Sequence, residues 1–388
     1  MGWLRITCSA YILAFSRKHW EIMKTDFNIV VLPGDGIGVE VIEATLALLA
    51  PVQQRFGFKL SYDRRPGGAY HYQETGTAFP DSSMKACEDA DAIMFGAMGW
   101  PDIRYPDGTE IAPQLDLRVH LDLYAGVRPI RAIPGLPLPL SSPQSKDIDL
   151  VIIRESTEGW FHARGRGKKG FTVSGDEAVY DTCEISRKAT ERLFNFSFKL
   201  AAARKRRNPA KGKVSCIDKS NVFLGMAFMN QIFHECSKTY PDIVADHCYI
   251  DAFCLNLIRK PWEFDVCPME NQFGDITSDL GAGLICGMGY APSADIGDKH
   301  AVFQPSHGSA PDIAGKGIAN PIATFLSAAM MLEWLGERHR SENLLAASQS
   351  IQDAVDFVFL HRKVRPIDIG GSDGTGTITQ AVIAALNH

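Results

Sequence analysis

Residues 27–49 decide the fold class, and they read F-N-I-V-V-L-P-G-D-G-I-G-V-E-V-I-E-A-T-L-A-L-L. Phe27 to Leu32 is a short, mostly apolar run, which is typical of a buried parallel strand. Residues 33–38 are a tight glycine-rich loop, and Glu40 to Leu49 repeats apolar residues at helical spacing. The stretch therefore predicts a strand, a close turn and a helix, which is the first unit of an α/β sheet.

The loop at residues 33–38 does not match the dinucleotide fingerprint G-x-G-x-x-G. Its third glycine would fall at position 39, which is Val39. The acidic residue expected about 20 positions further on, closing a compact β-α-β unit, is also missing. We therefore expect a loop that a ligand can approach closely, but not an ordinary Rossmann domain.

Strands and helices go on alternating to the end of the chain. Further strands are predicted at residues 60–62, 91–95, 149–154, 213–217 and 266, and helices at residues 185–207, 222–235, 252–259, 322–335 and 344–360. There is no internal repeat and no low-complexity linker. The pattern predicts an α/β protein whose second domain is an excursion of the chain and not an appended module.

Composition excludes several classes of protein. The chain has 388 residues, enough for two domains, and a net charge of −5, which favours neither a nucleic-acid nor a membrane partner. Nine cysteines without a C-x-x-C pair argue against a disulfide framework or a structural zinc, and indicate a reducing, cytoplasmic compartment. The apolar run Ile6 to Phe15 is too short to span a bilayer. We expect residues 1–23 to be a disordered or mis-annotated extension, and the alternative is a weak secretion or transit signal.

Residues 270–283, E-N-Q-F-G-D-I-T-S-D-L-G-A-G, place two carboxylates four positions apart. In a helix, Asp275 and Asp279 would share one face and repel each other. Mg²⁺ or Mn²⁺ would relieve that repulsion, because such ions take one or two protein carboxylates and complete their shell with water and substrate oxygens. The alternative is a solvated helix start favoured by the helix dipole. Gly281 and Gly283 are predicted to stop the helix.

Three arginines stand beside apolar runs: Arg118 in L-D-L-R, Arg128 in G-V-R-P and Arg154 in V-I-I-R-E. The planar guanidinium suits a carboxylate, so three converging arginines would suit a di- or tricarboxylate. Each taken alone predicts a surface ion pair.

Lys219 follows the predicted strand 213–217. With a lowered pKa it could act as a general base, and the alternative is a solvated lysine at a strand end.

Residues 307–321, H-G-S-A-P-D-I-A-G-K-G-I-A-N-P, form an unusually long run of small residues, glycine and proline. Such a loop exposes backbone N–H groups and lets a flat, phosphorylated ligand approach the main chain. Its length is too great for a simple turn. A purely structural loop is the alternative, and a ligand loop is favoured.

From residue 24 onward the chain resembles the β-decarboxylating dehydrogenases, which act on isopropylmalate, isocitrate, homoisocitrate or tartrate/D-malate. The resemblance is carried by four blocks in one order: L-P-G-D-G-I-G at 32–38, D-K-S-N at 218–221, N-Q-F-G-D-I-T-S-D at 271–279 and the loop at 307–321. It implies a two-domain α/β fold with a large mixed sheet. The cofactor-binding domain would comprise residues 24–124 and 286–388, and residues 125–285 would form the substrate, metal and dimerisation domain.

The resemblance also implies the site residues and a homodimer with shared active sites. Substrate carboxylates would be held by Arg118, Arg128 and Arg154, and Mg²⁺ or Mn²⁺ by Asp275, Asp279 and the partner subunit's Asp251. Lys219 of the partner subunit would be the catalytic base, with Asp251 as a second catalytic residue. NAD would be bound by residues of the glycine-rich loop: His307, Gly308, Ser309, Ala310, Asp312, Ile313 and Asn320. A carboxylate at Asp312 accepts hydrogen bonds from a ribose hydroxyl and repels a 2′-phosphate.

Two positions depart from the family pattern. Phe161 stands where the family has a tyrosine as general acid, which leaves His162, water or another group to protonate the enol. Residues 111–114, I-A-P-Q, match neither the isopropylmalate nor the isocitrate specificity pattern, and Gln114 is the predicted contact to the substrate's C3 substituent.

The sequence thus predicts an NAD- and divalent-metal-dependent oxidation, with decarboxylation, of a 2-hydroxy dicarboxylic acid such as 3-isopropylmalate, D-malate or tartrate. One alternative is a catalytically weak regulatory subunit that binds nucleotide or acid, suggested by Phe161. Another is a metal-dependent hydrolase built on the aspartates, which leaves the glycine-rich loop unexplained.

Overall fold

The computed structural model describes residues 24–387, so the predicted extension at residues 1–23 lies outside the described residues. One ten-stranded sheet forms the centre of this part of the chain, and a separate hairpin makes a two-stranded sheet. The strands are β1 Asp26–Gly34, β2 Lys59–Arg64, β3 Ala92–Ala97, β4 Ala125–Arg131, β5 Asp149–Glu155, β6 Lys168–Phe171, β7 Glu177–Tyr180, β8 Lys213–Asp218, β9 Val244–Tyr249, β10 Val266–Met269, β11 Pro292–Ile296 and β12 Ala301–Pro305.

Helices pack on the large sheet and alternate with its strands along the chain. They are α1 Ile37–Phe56, α2 Ala69–Thr75, α3 Asp81–Asp89, α4 Pro113–His120, α5 Arg187–Arg207, α6 Leu224–Ser237, α7 Ile250–Arg259, α8 Asn271–Leu284, α9 Ile322–His339, α10 Glu342–Leu360 and α11 Thr375–Ala385. A continuous apolar core joins them to the strands. The predicted α/β class is therefore confirmed.

The large sheet is mixed, with the strand order β2-β1-β3-β12-β11-β4-β5-β10-β8-β9. The strands towards its two ends are parallel to their neighbours. At the centre, the pairs β12–β11, β11–β4 and β4–β5 are antiparallel. The chain passes from one half of the sheet to the other between β3 and β4, and returns between β10 and β11. This topology differs from an ordinary, parallel Rossmann sheet, as the failed fingerprint at position 39 predicts.

Most of the predicted elements are present with small shifts at their ends. The opening strand and helix extend to β1 and α1, and the helix expected at residues 270–283 is α8. The prediction that Gly281 and Gly283 stop that helix is wrong, because α8 continues through both to Leu284. A Cβ at Gly281 would lie 2.8 Å from Ile130 of β4, so this glycine serves close helix–sheet packing.

Helix α1 is long and apolar enough, by length and composition alone, to cross a membrane. It carries Pro51 and buries Val41, Leu48 and Leu49 in the core. A helix whose apolar face packs inside the protein in this way is a core helix.

The first glycine-rich loop packs directly on the last one. The backbone N–H of Ile37 donates to the carbonyl of Ser309 at 2.9 Å. Gly36 has a φ of +59°, and a Cβ there would lie 2.0 Å from the same carbonyl oxygen, so only glycine fits. The loop after β1 thus supports the predicted ligand loop after β12.

Candidate active site

Helices α4 and α8 and strands β4, β5 and β12 enclose a cavity of about 170 Å³. All three predicted arginines line it, together with Asp275, Asp279, Gln114, His307 and Gly308. Arg118, Arg128 and Arg154 are each less than one tenth exposed. The alternative of three separate surface ion pairs is therefore wrong, since the arginines converge on one buried space.

Arg154 leaves the end of β5 and is held from two sides. Its Nε donates to Oδ1 of Asn271 at 2.8 Å, and its Nη1 forms an ion pair with Asp275. The ring of Phe161 lies 4.8 Å from the guanidinium carbon. Burial, with the nearby charge of Arg118, lowers the pKa of Arg154 to about 10, so the side chain stays charged at neutral pH.

Arg118 and Arg128 share a partner that sequence reasoning missed, Asp295 of β11. Oδ2 of Asp295 accepts from Nε of Arg118 at 2.8 Å, and Oδ1 accepts from Nη2 of Arg128 at 3.2 Å. Gln304 of β12 also donates to Oδ2 at 2.8 Å. Asp295 lies behind the arginines and does not line the cavity. No motif in P-S-A-D-I-G marks it, because its partners are far away in sequence.

Asp275 and Asp279 stand one turn apart on α8 and both face the cavity. Burial and the charge of Asp275 raise the pKa of Asp279. Two carboxylates that repel each other beside open space fit a hard divalent cation, which would replace mutual repulsion with attraction. Within residues 24–387 no group of three or more His, Cys, Asp and Glu side chains could hold a metal, so one chain presents this pair without a third acidic ligand.

Lys219 and Asp251 are together, but apart from the cavity. Nζ of Lys219 donates to Oδ1 of Asp251 at 2.6 Å, and the carboxylate is two-thirds exposed. The hydrogen bond from Lys219 lowers the pKa of Asp251. Neither residue lines the cavity of its own chain. The structure therefore brings together the predicted substrate and metal residues, and leaves this predicted catalytic pair on another surface.

The glycine-rich loop borders the cavity through His307 and Gly308. Nε2 of His307 is buried without a hydrogen-bond partner, and burial lowers the pKa of this ring. Space is open beside the backbone of Gly308, Gly315 and Gly317, where an added Cβ would meet nothing within 4 Å. An unpartnered buried nitrogen and an accessible backbone fit a bound nucleotide.

The other predicted cofactor residues divide into anchors and exposed groups. Ser309 donates to the carbonyl of Gly99 at 2.6 Å, and Asn320 donates to Asp368 at 2.6 Å. Asp312 is exposed, and Ala310 and Ile313 are half-buried. The anchors fix both ends of the loop, so the middle of the loop is presented to solvent and to any ligand beside it.

Three residues belong to the two places where the sequence departs from the family pattern: Gln114, Phe161 and His162. Oε1 of Gln114 is buried at the cavity without a hydrogen-bond partner. Phe161 and His162 do not line the cavity. The His162 ring lies 3.1 Å from Nη1 of Arg166 and 3.4 Å from a carboxylate oxygen of Glu184. Only Gln114 of these three therefore faces the place where a substrate fits.

A second carboxyl group beside the arginines, Glu155, was also missed. It directly follows Arg154, is buried, and accepts hydrogen bonds from the backbone N–H groups of Thr157 and Glu158. Burial raises its pKa to about 7, against the lowering effect of those hydrogen bonds. Glu155 holds the turn that leads from β5 towards Phe161.

Buried arginines, paired carboxylates and an accessible glycine-rich loop suit an enzyme that binds a carboxylic acid beside a nucleotide. A model of the isocitrate/isopropylmalate dehydrogenase family matches residues 28–385. A 3-isopropylmalate/3-methylmalate dehydrogenase of Methanocaldococcus jannaschii is 40% identical over 92% of this chain and 97% of its own length. A decarboxylating D-malate dehydrogenase of Escherichia coli is 35% identical over 93% of this chain and 98% of its own.

Among solved structures, an isocitrate dehydrogenase from Methylococcus capsulatus superposes with a TM-score of 0.80. It is 31% identical in sequence and covers 93% of this chain and 100% of its own. The chain belongs to the isocitrate/isopropylmalate dehydrogenase family. The resemblance and the α/β fold with a large mixed sheet predicted from the sequence are thereby confirmed, and the protein is an oxidoreductase by class.

Proposed function

We propose that this protein oxidises a 2-hydroxy dicarboxylic acid such as 3-isopropylmalate, D-malate or tartrate, with NAD as acceptor, a divalent metal as cofactor and loss of CO₂. The observation that supports this most is the convergence of three buried arginines and two aspartates on one cavity beside a glycine-rich loop. Arginines recognise carboxylates, and the aspartate pair suits Mg²⁺ or Mn²⁺. The names of two relatives agree with a dicarboxylic substrate.

In this proposal the cavity binds and orients the acid. Arg118, Arg128 and Arg154 hold its carboxylates, and Gln114 contacts the C3 substituent with its unpartnered oxygen. The metal, when bound by Asp275 and Asp279, supplies a Lewis acid, and NAD supplies a hydride acceptor. Lys219 of the partner subunit takes the proton of the C2 hydroxyl group.

We propose a homodimer, which the position of Lys219 and Asp251 away from the cavity supports. Apolar side chains are exposed on α6, which follows Lys219, on α7, which carries Asp251, and on α8, which contacts α7; among them are Leu224 (91%), Leu255 (56%) and Ile276 (59%). A patch of this kind favours a protein interface. Since Asp251 and Leu255 lie on the same helix, a partner that covers the patch would carry the Lys219–Asp251 pair towards the neighbouring cavity.

The glycine-rich loop is the proposed NAD site. The unpartnered Nε2 of His307 and the open space along the loop support a nucleotide, and the exposed Asp312 supports NAD over NADP, because its charge repels a 2′-phosphate. We assign residues 24–124 and 286–388 to a cofactor-binding domain, and residues 125–285 to a substrate and dimerisation domain. The eight cysteines within the described residues are free, which supports a cytoplasmic location.

The test is a substrate panel that measures oxidation and decarboxylation separately. Purified protein with NAD⁺ and Mn²⁺ is given 3-isopropylmalate, D-malate, tartrate and isocitrate, and NADH and CO₂ are recorded. NADH from at least one dicarboxylic acid supports the proposal, and NADH without CO₂ would show that the reaction stops at oxidation. No NADH from any of the acids would refute the proposal and favour the regulatory subunit.

A further inference from the structure

The carboxylate of Asp295 sits at the centre of the molecule, in the short ladder between β11 and β4. Asp295 is 1% exposed and pairs with Gly126 across that ladder. A Cβ at Gly126 would lie 3.2 Å from Oδ1 of Asp295 and 2.8 Å from Oγ of Ser156. The absence of a side chain at Gly126 therefore makes room for a buried carboxylate behind the arginines.

Asp295 is held in its charged form. Burial acts to raise its pKa, but the charges of Arg118 and Arg128 outweigh burial, so its pKa is lowered. Each arginine gives one N–H to Asp295, and Gln304 adds a third donor. One negative charge is thus fixed behind two of the three arginines that face the cavity.

Counting the charges at the cavity shows what Asp295 changes. Three arginines contribute three positive charges, and Asp275 and Asp279 contribute two negative ones, which would leave a surplus of one positive charge. Asp295 removes that surplus, and this chain's contribution becomes zero. A dicarboxylate together with one divalent cation is then balanced, whereas a third carboxylate would be buried without a positive partner, which is strongly unfavourable.

We propose that Asp295 is a specificity-determining residue that restricts the cavity to acids whose C3 substituent carries no charge. Hydrogen, hydroxyl and isopropyl substituents satisfy this rule, and the carboxymethyl group of isocitrate does not. The inference rests on the proposed function and narrows its substrate class. Asp295 does not touch the substrate in this scheme. It acts by neutralising part of the positive charge with which Arg118 and Arg128 would otherwise attract a carboxylate.

The test is the variant Asp295→Asn, which keeps the shape of the side chain and removes its charge. In the full-length protein with NAD⁺ and Mn²⁺, the ratio of kcat/KM for isocitrate to kcat/KM for D-malate should rise by at least about tenfold, because a misplaced like charge is costly in a buried site. The matched control is Asp356→Asn, which takes a carboxylate from Arg131 outside this cavity. The control should leave the ratio unchanged.

A binding measurement keeps the inference separate from the proposed function. Calorimetry with D-malate and isocitrate, in saturating Mn²⁺ and without NAD, reports the charge preference of the cavity without any turnover. The wild-type protein should bind isocitrate no more tightly than D-malate, and Asp295→Asn should gain affinity for isocitrate by about tenfold more than for D-malate. A wild-type protein that prefers isocitrate in binding or turnover would overturn the inference, as would a folded variant with unchanged ratios. If Asp295→Asn does not fold, the wild-type preference still decides.

Discussion

The cavity cluster around Arg154 and the Lys219–Asp251 pair are both made of charged residues, but their surroundings are opposite. The cavity arginines are buried, and each has at least one partner supplied by a distant segment of the chain. Lys219 and Asp251 have each other, and the carboxylate is largely exposed. An exposed pair of this kind adds little to stability. The difference fits the proposed dimer, in which one chain supplies the carboxylate-binding residues of a site and its partner supplies Lys219 and Asp251.

The largest expected effect comes from removing Lys219 from the exposed Lys219–Asp251 pair. Lys219→Met should lower kcat by about 10²–10⁴-fold, as expected for loss of a general base. The control is Lys188→Met, an exposed lysine on α5, which should leave kcat unchanged. Steady-state kinetics with the best acid of the panel give both values, and a kcat of Lys219→Met within twofold of wild type would refute the role of Lys219.

Mixing two inactive variants tests whether the halves come from different subunits. In a dimer of Lys219→Met with Asp275→Asn, one site carries both changes and the other carries neither. A refolded equal mixture should therefore recover roughly one quarter of wild-type activity if subunits exchange at random. A mixture that forms mixed dimers and stays inactive would place both residues in the same site.

The second effect comes from removing one of the two carboxylates that line the cavity. Asp275→Asn should reduce turnover by at least about 100-fold and raise the Mn²⁺ concentration needed for half-maximal activity, because one of two carboxylate ligands is lost. Asp353→Asn, an exposed carboxylate on α10, is the matched control. An unchanged rate together with an unchanged Mn²⁺ requirement would contradict the assignment of the metal site.

The third effect concerns the pH dependence of stability at Glu155, the buried carboxyl group next to Arg154. The pKa of Glu155 is raised from 4.5 to about 7, so the unfolded chain releases this proton first and the folded state loses stability as pH rises through that window. The variant Glu155→Gln has no titrating group at this position, so it does not lose this stability as pH rises. Its free energy of unfolding relative to wild type should therefore increase by up to about 3 kcal/mol between pH 4.5 and pH 8, as urea unfolding measures. Glu177→Gln, at an exposed carboxylate, should show no such trend.

The smallest expected effect concerns the last step of the proposed reaction, the protonation of the enol. Phe161→Tyr adds a hydroxyl group to a ring that already packs on Arg154. The rate of turnover should rise, by at most about tenfold, because protonation of the enol follows the loss of CO₂ and water can protonate an enol without help. An unchanged rate would show that another group already supplies the proton in the wild-type protein or that this step does not limit turnover.

Local patterns predicted much of the fold. The strand, loop and helix at residues 27–49 and the helix that carries Asp275 follow directly from spacing and glycine placement. The hairpin β6–β7 and the antiparallel pair β11–β12 were not predicted, because short strands of mixed polarity carry a weak period. Gly281 was misread as a helix stop because a close approach to Ile130 leaves no trace in local sequence.

The site was predictable only in part, for a related reason. Arg118, Arg128 and Arg154 could be named from the sequence, but their convergence depends on the fold. Asp295 could not be found at all, because its bond to Arg118 joins residues 177 positions apart. Charge balance in a cavity is a property of the assembled site, and no single motif contains it.

The two passages of the chain between the halves of the sheet determine how the cavity is assembled. β4 and β11, which follow these passages, pair with each other through Ala294–Val127 and its neighbours. The segment between them therefore behaves topologically as an insert whose ends lie side by side. This insert carries Arg128, Arg154, Asp275 and Asp279, whereas Gln114 and Arg118 lie on α4 before it. The cavity is therefore built from both parts of the chain, and a change of acid specificity need not be confined to the insert.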